Sequence, residues 1–306
     1  MITHVVFSGG GIKGFCYLGI IRYLYIENLV KNIKYISGAS IGAYFGLVLA
    51  LQIPIDFIEN EISIILENIK TNNNLTISKN NFSELFTTFG FLSLDFMMTP
   101  ILNYLKLKYN IEDITFIDFI KKTGINLYVS TTCINTASKK IFSADDTPNI
   151  SVIDAVKASM TIPFLFKSLC IEDEYYIDGV ISNSVPMNIF KTVPKENKLC
   201  VIIYSGTDED PTIYDKGNKL DFFLYFSRSI YIMLKSLLSN PIEKYRLKDD
   251  LHILKINNLP YAGTFKFKIT NKEIIISVSQ EEVDNLTLKG YIEIFEYMKK
   301  RENSIE

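Results

Sequence analysis

The five residues Gly38-Ala39-Ser40-Ile41-Gly42 constrain this chain more than any others in it. A serine set in the G-x-S-x-G spacing belongs on a tight strand-to-helix turn, because small neighbours allow a backbone conformation that bulkier side chains forbid. Tyr35 and Ile36 supply a short apolar strand before it, and Ala43 to Leu51 is apolar enough for a buried helix after it. The positive end of that helix dipole would face the serine oxygen. About thirty residues earlier the chain carries Ser8-Gly9-Gly10-Gly11-Ile12-Lys13-Gly14, so the serine elbow is paired with a glycine loop. The pair reads as a serine hydrolase.

The loop alone decides nothing, since Gly9-x-Gly11-x-x-Gly14 after a strand at His4 to Ser8 also fits a dinucleotide fingerprint. That fold needs an acidic residue at the end of the next strand to hold a ribose hydroxyl, whereas here the next strand ends in Ser37-Gly38-Ala39-Ser40. A phosphate loop needs lysine and a hydroxyl residue after the last glycine, and Gly14 is followed by Phe15 and Cys16. What survives is a row of backbone N–H groups at a helix start, suited to an oxyanion, or a tight turn without chemistry.

A serine nucleophile needs a base, and the chain has only two histidines. His4 lies five residues before Gly9 on one extended strand, about 16 Å away at 3.3 Å per residue, at the wrong end of the sheet. His252 begins the mixed-polarity run Leu251 to Ile256, which resembles an edge strand more than a catalytic loop. Asp178 follows the apolar and aromatic run Tyr175-Tyr176-Ile177 and precedes Gly179. Partial burial beside aromatic rings raises a carboxyl pKa towards the range of a useful base, while an aspartate holding a turn is the plainer alternative.

Together these residues resemble the patatin-like phospholipases, which hydrolyse acyl esters with a Ser-Asp dyad and no histidine. Gly9 to Gly14, with Lys13 where the family has Arg or Lys, is similar to the oxyanion motif, and Gly38 to Gly42 to the nucleophile motif. Ala155, Ala158, Ser159, Pro163 and Phe166 resemble the packing segment before the acid, and Asp178-Gly179 with Asn183 and Pro186 the dyad motif and its turn. Two positions depart from the pattern: Ser8 stands where the family has aspartate, and Val180 where it has Gly or Ala. The resemblance implies Ser40 and Asp178 as catalytic residues and Gly9, Gly10 and Gly11 as the oxyanion hole. It further implies Lys13, Gly14, Gly38, Gly42 and Gly179 as motif support, with no metal or cofactor. The implied fold is α/β, three layers α/β/α with a mostly parallel central sheet, and the implied substrate a phospholipid or other acyl lipid met at a membrane or micelle surface. A protein activator fits this picture without being required by it. A non-catalytic lipid-binding relative and a general esterase using His252 stay open.

Composition agrees. At 306 residues, 48% hydrophobic and 22% charged, one large core is available, and a single domain over 1–301 with a short tail at 302–306 is expected. A net charge of −2 provides no basic field for nucleic acid. No segment reaches 18 uninterrupted apolar residues and the N-terminus enters strand and loop at once, so neither a signal peptide nor a transmembrane segment is expected, and the location is expected to be cytoplasmic, peripheral at membranes. Cys16, Cys133, Cys170 and Cys200 are widely spaced in apolar runs and read as buried thiols. Ile55 to Lys70 and a segment capped by Ser279 and ending near Arg301 have helical patterning. Two apolar segments, Phe82 to Met98 and Leu220 to Leu238, suit either the core or a lipid-facing surface.

Overall fold

A computed structural model describes residues 1–72, 76–78, 82–203, 253–256, 266–269 and 273–303, with the single positions 225, 229 and 232. The first half runs β1 (His4–Phe7), α1 (Cys16–Ile26), β2 (Tyr35–Ala39), α2 (Ile41–Ala50), α3 (Ile55–Asn72), β3 (Thr76–Ser78), α4 (Phe82–Thr88), β4 (Gly90–Leu92), α5 (Asp95–Tyr109) and α6 (Phe116–Thr123). The second runs β5 (Asn126–Cys133), β6 (Ser138–Phe142), α7 (Val152–Met160), β7 (Phe164–Phe166), β8 (Leu169–Ile171), β9 (Glu174–Ile177), α8 (Val180–Asn183), β10 (Lys198–Ile203), β11 (Ile253–Ile256), β12 (Lys266–Ile269), β13 (Glu273–Ser277) and α9 (Gln280–Asn303).

The central sheet has the order β11-β10-β1-β2-β5-β9-β8, with β6 also paired to β5. Neighbours from β11 through β5 are parallel, and the pairs made by β6, β8 and β9 are antiparallel. The mixed α/β architecture with a mostly parallel sheet is the one expected. From β1 the chain moves outward through β2 to β5, then returns to β10 on the other side of β1. Strand order therefore reverses between β1 and β10, and in open α/β sheets the crevice outside the carboxyl ends at such a reversal is where ligands bind.

The period-2 alternation of strand side chains divides the core. Val5 and Phe7 of β1 join Leu199, Val201 and Ile203 of β10 in the large cluster that includes α1 and α2. Val6, Cys200 and Ile202 point the other way, against Val185 and Phe190 in the segment that returns from the acid to β10. Helix α9 lies along α1, and its start is held by both halves of a capping box. Ser279 Oγ accepts from Glu282 N at 3.2 Å, and Glu282 Oε2 accepts from Ser279 N at 2.8 Å. It continues to Asn303, two residues past its expected end.

His4 sits at the amino end of β1, in register with Tyr35 and Lys198, its ring stacked on Tyr35 at 4.5 Å. One thiol departs from expectation. Cys170 is exposed, because β8 is an edge strand and its alternation turns this residue outward, whereas Cys16, Cys133 and Cys200 are buried. Phe82 to Met98 divides into α4, β4 and the start of α5. His252 and, apart from the three single positions, Leu220 to Leu238 lie outside the described residues. Among the described residues no helix is long and apolar enough to cross a membrane.

Candidate active site

Strands β1 and β2 end level, with Phe7 opposite Gly38, so the glycine loop and the serine elbow leave the sheet side by side at its carboxyl edge. Ser40 is the N-cap of α2 with φ 54 and ψ −131, a left-handed conformation for a residue with a side chain, of the kind that holds a strained nucleophile outward. Its Oγ donates to Asp178 Oδ2 at 2.7 Å. Asp178 reaches it from the turn between β9 and α8, and its other oxygen, Oδ1, accepts from Val180 N at 2.9 Å. Both residues are buried, Ser40 at 6% and Asp178 at 2% exposure. Burial pushes the Asp178 carboxyl up from 3.8 to about 7, against the hydrogen bonds from Ser40 and Val180 that favour its ionised form. His4 is not part of the group.

The backbones of both residues are tied to the end of α7. Ser159 Oγ accepts from Ser40 N at 2.8 Å and donates to Ser130 O at 2.6 Å. Ser159 O accepts from Gly179 N at 3.1 Å, and Thr161 O from Asp178 N at 2.8 Å. Ser159 was legible in the sequence only as a packing residue. The signal it lacked is distance, since the contact to Ser40 spans 119 positions.

The glycine loop lies over this pair. Gly9 N donates to Ser184 O at 3.0 Å, so it is not available to an oxyanion, and this corrects its expected place among the donors. What Gly9 supplies is room: a Cβ there would run into Val180 Cγ2. Gly11 has φ +54, the left-handed region that glycine occupies without strain. Lys13 and Gly14 form the short helical turn after it, Gly38 and Gly42 bracket the elbow, and Gly179 follows the acid, where a Cβ would strike Ser130 O.

A model of patatin-like phospholipases matches residues 5–191, more than half of the 306. The chain belongs to that family. Among relatives of this patatin-like protein, an uncharacterized protein, R571, of Acanthamoeba polyphaga mimivirus is 26% identical over 291 residues, 94% of each chain. The probable lipid hydrolase 463L of invertebrate iridescent virus 6 is 29% identical over 200 residues, 63% of this chain and 65% of that one. In structure the chain is similar to VipD from Legionella pneumophila, with a TM-score of 0.55 and 18% identity, covering 98% of this chain and 67% of VipD. That likeness is one of fold.

The two departures from the patatin-like pattern both have structural roles. Ser8, in place of the aspartate, accepts from Ile203 N at 3.0 Å and donates to Gly9 O at 2.9 Å, joining the loop to β10. Val180, in place of a smaller residue, fills the space over Gly9 while its N–H holds the acid. Beside Ser40 a narrow apolar cavity opens, walled by Ile41, Ile62, Leu94, Met160 and Phe166 among others. Among the described residues of its lining, Ser40 and Tyr44 alone bear hydroxyls and none is charged. Its volume is about 90 Å³, against roughly 10–15 Å³ for one water, which suits a run of methylenes from a single chain.

Proposed function

We propose that this chain is a serine lipid acyl hydrolase of the phospholipase A type, cleaving fatty-acyl esters of phospholipids or related lipids. The observation that carries this is the 2.7 Å hydrogen bond from Ser40 Oγ to Asp178, a buried carboxyl raised to about 7. A base whose pKa lies near the working pH is ionised often enough to accept a proton and basic enough to hold it. The apolar cavity and the name of the viral relative 463L support a lipid as the substrate.

In the first step Asp178 Oδ2 takes the Ser40 proton as Oγ attacks the ester carbonyl, and the resulting oxyanion is held by amides of the glycine loop. Gly10 and Gly11 are the donors, since Gly9 N and Ser40 N are committed to Ser184 O and Ser159 Oγ. The alcohol leaves with the proton from Asp178, and the acyl chain stays on Ser40 as an ester. Water then attacks that ester, Asp178 takes its proton, and the proton returns to Ser40 as the fatty acid departs. Each group ends as it began. Lys13, in the turn that follows the glycines, adds a positive charge near the site that would favour anionic headgroups.

The test is hydrolysis of a fluorogenic phospholipid in mixed micelles with excess chelator, comparing wild type, Ser40→Ala, Asp178→Asn and His252→Ala. Loss in the first two variants and retention in the third is the expected result. Loss in His252→Ala would replace the dyad with a histidine-dependent esterase, and an inactive wild type that retains lipid would leave a lipid-binding protein.

A further inference from the structure

Strands β4 and β7 form a separate two-stranded parallel ribbon, with Gly90 opposite Phe164 and Leu92 opposite Phe166. Its inner side contributes Phe166, and the residues just after it Leu94, Phe96 and Met97, to the cavity beside Ser40. Exposed aromatic residues stand on the ribbon and on the segments beside it: Phe164 in β7, Phe89 just before β4, Phe86 in α4 and Tyr175 in β9. Phe86 is 79% exposed, Phe89 50%, Phe164 52% and Tyr175 39%. The Phe89 and Tyr175 rings meet edge-to-face at 5.7 Å, and Ser168 N donates to Thr88 O at 2.9 Å, tying the end of α4 to the segment after β7.

Two of these rings are held outward at a conformational cost. Phe89 has φ 58 and Phe164 has φ 65, a region that bulky residues rarely adopt. In β7 this breaks the two-residue alternation that would put Phe164 on the same side as Phe166, so one ring faces water and the other the cavity. Strain of this kind persists where it serves a function, and contiguous exposed apolar surface marks an interaction site.

We propose that the exposed aromatic residues on and beside this ribbon are the lipid-docking surface of the protein, inserting Phe86, Phe89, Phe164 and Tyr175 into a bilayer so that an acyl chain passes along Phe166 into the cavity. The inference rests on the hydrolase reading for its direction: a serine only 6% exposed cannot meet an ester that stays in the membrane, so the cavity mouth must face the lipid. Strand β7 carries both, with Phe164 exposed and Phe166 in the cavity wall.

Glycine at both strained positions separates docking from folding. The double variant Phe89→Gly/Phe164→Gly removes the rings while giving each position a residue that accepts positive φ without strain. Cosedimentation with phosphatidylcholine vesicles is expected to weaken about tenfold for each ring lost, with the melting temperature unchanged or higher. The ratio of vesicle-lipid to soluble-ester hydrolysis is expected to fall with it, and Phe86→Ser, on the helix outside the ribbon, to act in the same direction. Unchanged vesicle binding overturns the proposal, as does a wild type that self-associates through this face and a variant that is monomeric. A wild type that hydrolyses neither substrate overturns the hydrolase reading, and the binding comparison still decides the surface.

Discussion

Asp178 makes the fold pH-sensitive in a direction opposite to that of most carboxylates. Its carboxyl titrates at about 7 in the folded protein against 3.8 in an exposed chain, because burial penalises the charge. Below pH 3.8 both states are protonated and no penalty applies. Between 3.8 and 7 the unfolded chain gives up its proton first, so stability is lost with each pH unit, and above 7 the loss is complete. At about 1.4 kcal/mol per unit the full effect is about 4 kcal/mol, of which about 3 kcal/mol accrues between pH 5 and 8. Asp178→Asn keeps the shape, and its amide oxygen still accepts from Val180 N, but it has nothing to ionise. Denaturant unfolding of wild type and variant at pH 5 and pH 8 reads this directly. The variant's advantage should widen by about 3 kcal/mol at the higher pH. A gap of the same size at both pH values would refute the argument and place the Asp178 pKa near its ordinary value.

Removing the hydroxyl that ties the elbow to α7, in Ser159→Ala, leaves Ser40 N and Ser130 O buried without their partner. Steady-state kinetics should show kcat down about 10²-fold with KM little changed, as misplacement of a reacting group does, and Ser159→Thr should recover most of it. Gly9→Ala should destabilise the protein because its new methyl collides with Val180 Cγ2, and Val180→Ala should relieve it. A double-mutant cycle by thermal unfolding is expected to give a coupling of about 1–3 kcal/mol, and simple additivity would show that the loop moves away from Val180 instead.

Local signals were legible where one turn of chain suffices to express them. The elbow helix was expected over Ala43 to Leu51 and is Ile41–Ala50, and the helix after it was expected from Ile55 and begins there. The glycine loop, the elbow and the acid all proved to lie at one edge of the sheet. The features that escaped depend on partners far away in sequence. Gly9 resembled its glycine neighbours until Ser184 O was seen to take its N–H, and Ser159 carried no mark of its bond to Ser40. The ribbon was hidden because three-residue strands have too little alternation to be recognised, and positive φ at Phe89 and Phe164 runs against residue preference.

The elbow and the glycine loop are complete by Gly42, whereas Asp178, the base of the proposed mechanism, lies 138 residues beyond Ser40 and arrives only after β5, α7 and β9 are in place. On the proposed mechanism, a chain emerging from the ribosome therefore carries its nucleophile long before the carboxylate that takes its proton. Contacts of such sequence separation form late and are slow to close. Hydrolysis by this protein would report on assembly as well as chemistry, because every molecule that turns over substrate is one whose sheet has been traversed from β1 to β9.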